Sequence, residues 1–179
     1  MSSLVEKIVA CHDSLAAAGV PHAFGGALAL AWCTQAARGT IDIDVNLFVA
    51  EDRAAQVLAA LPGGVRYEDD DLERLARETQ IRLFWDATPV DLFLNSTPYH
   101  EEVQTRIRWE TFAGRELPFL SCPDLAVFKA FFNRTKDWAD LEAMRDAGTL
   151  DTRHVTGVLV EYLGADDERV AQLQALLRR

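Results

Sequence analysis

The segment 41–49, Ile-Asp-Ile-Asp-Val-Asn-Leu-Phe-Val, alternates with a period that suits a β-strand and little else. Successive side chains of a strand point to opposite faces, so Ile43 and Val45 share one face and Asp42 and Asp44 the other. The apolar face needs a core to bury it. The acidic face sets two carboxylates side by side, where they repel each other unless water or a cation separates them. Just upstream, Gly25-Gly26 interrupts the chain and is followed by an Ala- and Leu-rich stretch, 27–36, that predicts a helix. A glycine pair, a helix and an acidic strand therefore form one continuous unit.

The rest of the chain supplies what packs round that unit. Leu4, Ile8, Leu15 and Ala18 recur at helical spacing and Gly19 stops them, which predicts a helix over 3–18. Val20 to Phe24 reads as a short extended segment, because the residue before Pro21 is biased towards β. Residues 51–60 predict a helix ended by Pro62-Gly63-Gly64, and 71–78 a short one behind the acidic run Glu68 to Asp71. Ile81 to Trp85 and Val90 to Leu94 read as a hairpin turning at Ala87-Thr88-Pro89. A second pair, 107–112 and 115–119, turns at Ala113-Gly114. Ser121-Cys122-Pro123-Asp124 then opens a helix, and helical stretches follow over 123–133, 136–147, 151–163 and 166–178. The expected class is α/β (α+β): a mixed sheet with flanking helices over 1–120, followed by a helical region over 121–179.

Asp91 is a third acid of interest. It lies inside the apolar run Pro89-Val90-Asp91-Leu92-Phe93-Leu94, where an acid is costly unless paired or metal-bound. If that strand lies beside 41–48, three carboxylates converge. An oxygen-only set of this kind suits Mg²⁺ or Mn²⁺. Two such ions about 4 Å apart activate an attacking oxygen and stabilise a leaving pyrophosphate. Gly25-Gly26 lets backbone N–H groups at a helix start approach a phosphate closely. Each element has a plainer reading too: solvated acids on an exposed strand face for Asp42 and Asp44, an ordinary turn for the glycines, a strand-edge acid for Asp91. There is no Gly-x-x-x-x-Gly-Lys-Ser/Thr loop and no local serine or cysteine nucleophile motif. Phosphate binding would therefore be metal-centred.

Gly25-Gly26, Arg38-Gly39-Thr40, Asp42-x-Asp44 and the later strand acid Asp91 resemble the core of the DNA polymerase β-type nucleotidyltransferase superfamily. The runs FGGALAL, RGTIDIDV and DLAVFKAFFNRTKDWADL look most like the small bacterial AbiEii/MenT toxin-type proteins, over roughly residues 20–145. The resemblance implies a fold and a reaction, the transfer of a nucleoside monophosphate from an NTP to an acceptor hydroxyl. It also implies roles. Gly25 and Gly26 would contact phosphates, together with Arg38 and Thr40. Asp42 and Asp44 would bind metal, with Asp91 as metal ligand and general base. Lys129 would face the triphosphate. Arg134, Lys136, Asp137 and Asp140 match a further patch of the toxin-type proteins. Read from the residues alone, Lys129 is equally a helix-surface lysine, Arg38 equally a helix C-terminal cap, and the 134–140 set equally a series of helix-end ion pairs. The implied partners are an NTP, an acceptor that is RNA, protein or a small molecule, and a cognate antitoxin. Two alternatives stay open: a non-catalytic nucleotide-binding or interaction protein of this fold, and an aminoglycoside- or lincosamide-type antibiotic nucleotidyltransferase.

Charge limits the acceptor more than the nucleotide. Across 179 residues, 18 basic against 28 acidic side chains leave a net −10, which disfavours a broad nucleic-acid-coating surface. No apolar run approaches the length of a membrane span, and the N-terminus lacks a signal-like apolar block, so a cytoplasmic chain with no membrane partner is expected. Cys11, Cys33 and Cys122 are odd in number and widely spaced, with no Cys-x-x-Cys, and are expected to be reduced thiols.

Overall fold

A computed structural model describes residues 2–37 and 39–178. The chain divides into two units, Met1–Leu28 with Gly39–Leu120, and Ala29–Arg38 with Ser121–Arg179. The division falls at the end of the α/β half, and the stretch 29–38 goes with the helical unit.

The first unit is built on a seven-stranded mixed sheet. Its strands are β1 (His22–Phe24), β2 (Ile43–Leu47), β3 (Val65–Arg66), β4 (Gln80–Trp85), β5 (Thr88–Leu94), β6 (Arg108–Phe112) and β7 (Arg115–Phe119), in the order β3-β4-β5-β2-β1-β7-β6. β2 runs parallel to β5 and antiparallel to β1. The central strands alternate as the sequence requires: Ile43, Val45, Val90 and Leu92 are fully buried, while Asp44 and Asp91 on the other face are part-exposed. β2 is shorter than the alternating run, so Asp42 lies just before its first residue. The 51–60 stretch is a 3₁₀ turn, Glu51–Arg53, followed by helix α3 (Ala54–Ala59), and the 71–78 stretch lies in helix α4 (Asp69–Glu78). Two short elements that carry no clear periodicity, β3 and helix α5 (Pro98–Val103), are additions to the expected set.

Helix α1 (Leu4–Ala17) starts at a capping box. Ser3 Oγ accepts from the Glu6 N–H at 3.2 Å, and the Glu6 carboxylate accepts from the Ser3 N–H at 2.7 Å. It buries Ile8, Cys11 and Leu15, one helical stripe. It also buries Lys7, whose ammonium donates to the Trp85 carbonyl at 2.8 Å and Thr88 Oγ1 at 3.0 Å and lies 3.2 Å from Asp86. A single lysine so ties α1 to the β4–β5 turn, with its charge compensated as burial demands.

The helical unit contains α6 (Cys122–Phe132), α7 (Thr135–Asp146), α8 (Thr152–Leu163) and α9 (Glu168–Leu177). Ser121 caps α6 by accepting from the Asp124 N–H, with Pro123 in the first turn. The cysteine expectation is overturned here. Cys33, on helix α2 (Gly26–Thr34), is bonded to Cys122, and only Cys11 remains a thiol. Their Cα atoms are 5.6 Å apart across a sequence separation of 89, a distance spacing alone does not disclose. Burial pushes the Cys11 thiol up to about 12, so it is inert as a nucleophile at neutral pH. Among the described residues, no helix is long and apolar enough to cross a membrane.

Burial also governs two histidines. His22 donates from Nδ1 to the Val20 carbonyl at 2.8 Å, which leaves Nε2 to accept from His12 Nδ1 at 3.0 Å. Desolvation pushes both His22 and His100 down to about 4. The folded state thus disfavours the protonated form, and the unfolded state takes up protons first. Stability will fall as the pH drops from about 6.5 to about 4, by roughly 3 kcal/mol per histidine across that window. Urea unfolding at pH 7 and pH 4.5 checks this, and a His22→Gln variant with an unchanged pH slope would contradict the assignment. Thiol titration of the denatured chain will count one group without reductant and three with it. Closing a loop of this length contributes about 4 kcal/mol, which reduction will remove.

Candidate active site

The parallel register of β2 and β5 sets Ile43 beside Val90 and Asp44 beside Asp91. The two acids therefore share a row on the face opposite the core. Asp42 joins them from the chain before β2, where its N–H donates to Thr40 Oγ1 at 3.1 Å. The Thr40 hydroxyl thus holds the backbone of Asp42 in place.

Gly25 and Gly26 lie directly on this row. The Gly25 N–H donates to the Asp44 carbonyl at 2.9 Å. A Cβ on Gly25 would come within 2.8 Å of Asn46 Nδ2, and one on Gly26 within 1.9 Å of Asp44 Oδ2. Gly26 also has φ +53°, in the left-handed region. Only glycine permits the start of α2 to pass this close to the Asp44 carboxylate. The pair thus does more than turn the chain: it places a helix start against an acid.

A residue not singled out in the sequence completes the row. β4 pairs antiparallel with β5 so that Arg82 faces Asp91. Its guanidinium forks onto that carboxylate, Nε to Oδ1 at 2.8 Å and Nη2 to Oδ2 at 2.7 Å, and Nη2 is 3.7 Å from Asp42 Oδ2. Hydrogen bonding to Asp91, reinforced by the charges of Asp42 and Asp44, raises the already high pKa of Arg82. The signal was present: the tight turn pairs Trp85 with Thr88, and counting back three on each side brings 82 opposite 91. Placing the turn at Ala87-Thr88-Pro89 loses that register. The turn is Asp86-Ala87 instead, with Asp86 at φ +52°.

Asp42, Asp44 and Asp91 are hard oxygen donors, the right kind for Mg²⁺ or Mn²⁺. With no side chain on Gly26, the helix start lies directly against the Asp44 carboxylate, whose Oδ2 is 1.9 Å from where a Cβ would stand. These residues fit a divalent ion in chemistry and would be the ones to hold it. Among the described residues, however, no three His, Cys, Asp or Glu side chains are gathered as a ready metal cluster. Both oxygens of Asp91 are given to Arg82 instead.

The expectations for the helical unit change more. Lys129 is not exposed on its helix: it is buried, with Nζ 2.6 Å from Asp140 and 3.8 Å from Asp137, both buried themselves. Arg134 reaches Asp137 through Nε at 2.6 Å, and the Asp137 carboxylate accepts from the Arg134 N–H at 3.3 Å, capping α7. Buried Lys129 and the half-exposed guanidinium of Arg134 thus balance two buried carboxylates, as buried charges require. Lys136 is exposed on α7. Arg38 lies outside the described residues.

No family model and no curated protein matches the sequence. Solved structures do match in shape. The antibiotic-resistance factor ANT(2'')-Ia in complex with adenylyl-2''-tobramycin aligns at TM-score 0.57 and 15% identity, over 99% of each chain. Its solution structure aligns at 0.53 and 18%, over 98% of this chain and 89% of that one. An antigenic nucleotidyltransferase-like protein from Paracoccidioides brasiliensis aligns at 0.56 and 14%, over 96% and 92%. The fold is that of the nucleotidyltransferases. Within this nucleotidyltransferase fold, the row Asp44–Asp91–Arg82 spans three adjacent strands, and the Gly25-Gly26 turn closes on its Asp44 end.

Gly19 gives the control for Gly26. Its φ is +65°, but a Cβ there meets nothing within 4 Å. Gly19→Ala will cost about 1 kcal/mol of backbone strain. Gly26→Ala carries the same strain plus displacement of Asp44, and will cost at least about 1 kcal/mol more by urea unfolding. Equal losses would mean that the contact with Asp44 is readily relieved.

Proposed function

We propose that this chain is a divalent-metal-dependent nucleotidyltransferase that moves a nucleoside monophosphate from an NTP to an acceptor hydroxyl. One observation carries the reading: two carboxylates in register on one sheet face, a third close by from the chain before β2, and a glycine turn and helix start packed against the row. The acceptor oxygen bonds to the α-phosphorus, the bond to the α–β bridging oxygen breaks, and pyrophosphate leaves. Asp91, part-exposed on β5 beside Asp44, takes the proton of the acceptor hydroxyl. Backbone N–H groups at Gly25-Gly26 contact the phosphates. Asp42, Asp44 and Asp91 would hold a divalent ion, which would supply charge neutralisation at the phosphates and lower the pKa of the attacking hydroxyl. Supply of NTP places the reaction in the cytoplasm.

The resemblance to the AbiEii/MenT toxin type favours RNA or a protein as acceptor, with a cognate antitoxin as partner. A second acceptor class has a separate support. A neighbour in shape was solved with adenylyl-2''-tobramycin, and a net charge of −10 suits a polycationic small molecule better than a nucleic acid. Labelled NTP transfer tested against total RNA, total protein and a panel of aminoglycosides separates these acceptors. Asp42→Ala and Asp44→Ala will each lower transfer more than about 100-fold. Full activity in either variant removes the carboxylates from the mechanism.

A further inference from the structure

Arg82 raises a conflict that the proposed reaction must resolve. A carboxylate that accepts two guanidinium bonds, one on each oxygen, has its best lone pairs occupied. It can neither ligate a cation well nor take a proton from an acceptor. The reaction needs Asp91 for both purposes. Arg82 is equipped to leave: its side chain is half-exposed, whereas that of Asp91 is only 14% exposed. The guanidinium therefore moves at the cost of a partly solvated pair, while the acid stays where β5 fixes it. Arg82 also lies in the row on the strand next to Asp91, so a short swing keeps it over the same face. A guanidinium fork matches a phosphate as well as a carboxylate.

Resting on the transferase reading, we propose that Arg82 is an exchangeable counter-cation, which closes Asp91 to divalent ions until the polyphosphate of an NTP draws it away. Before the nucleotide arrives, Arg82 neutralises the acidic row, and neighbouring carboxylates need no metal to coexist. When the nucleotide arrives, its phosphates offer Arg82 a second anionic partner. Asp91 is then released at the step where it is needed. The device makes metal binding follow nucleotide binding and keeps the acids from trapping ions unproductively.

The test is Mn²⁺ binding, followed by the electron paramagnetic resonance signal of the unbound ion, on the full chain without nucleotide. Wild type, Arg82→Gln, Arg82→Lys and Asp91→Asn are compared, with circular dichroism confirming that each is folded. Arg82→Gln will bind Mn²⁺ about tenfold more tightly than wild type. Arg82→Lys, which keeps the charge but cannot fork, will fall between them and serves if the Gln variant is unstable. Adding an α,β-methylene NTP will tighten Mn²⁺ binding in wild type and far less in Arg82→Gln. A loss of packing would not raise metal affinity, so the sign of the effect identifies the role. Mn²⁺ binding that depends on Asp91 yet is equal or weaker in both Arg82 variants overturns the exchange and leaves the transferase reading standing. No Asp91-dependent binding in any protein, with or without the analogue, overturns both.

Discussion

Like charges held in fixed register are the constraint round which the first unit is arranged. β2 and β5 cannot separate Asp44 from Asp91 without giving up the pairing that buries Ile43, Val45, Val90 and Leu92 on the other face. The core thus forces the acids together, and the acids in turn demand a cation. Arg82 from β4 answers that demand within the chain, bidentate on Asp91 and near Asp42. The glycine turn fits beside Asp44 because nothing larger can, which fixes where α2 begins.

Much of this was legible because it follows from period and punctuation. The alternation over 41–49 placed the acids on one face, and an acid inside the apolar run 90–94 pointed to the partner strand. Gly25-Gly26 marked the helix start. The elements that escaped were those whose positions depend on register or on distant contacts. Misplacing the β4–β5 turn by about two residues hid Arg82, although its strand was recognised. Asp42 fell outside β2, since a strand ends where its neighbours stop pairing, and alternation continues past that point.

The helical unit was read correctly as helices, and of the two readings left open for its charged residues the structure displays ion pairs within the chain. A lysine five residues before an Arg-x-Lys-Asp run looks like a surface patch in one dimension. In three dimensions α6 and α7 bring Lys129 against Asp137 and Asp140 in the interior, where unpaired charge is not tolerated. Cys33 and Cys122 likewise bear no sequence relation that betrays their bond. Both cases turn on pairings across long separations, which local pattern does not encode.

The two-residue connection between Trp85 and Thr88 has a consequence for how this chain can change over generations. Each position on β4 is matched to β5 by counting outward from that turn, so Ala87 is free in identity far more than in number, while Asp86 also answers to Lys7 and to its left-handed φ. Gaining or losing one residue there would send Arg82 to the buried side and bring Ile81 or Leu83 out beside Asp91. Descendants of this sequence are therefore expected to vary the spelling of the turn while conserving its length, a length that carries information no single amino acid in it does.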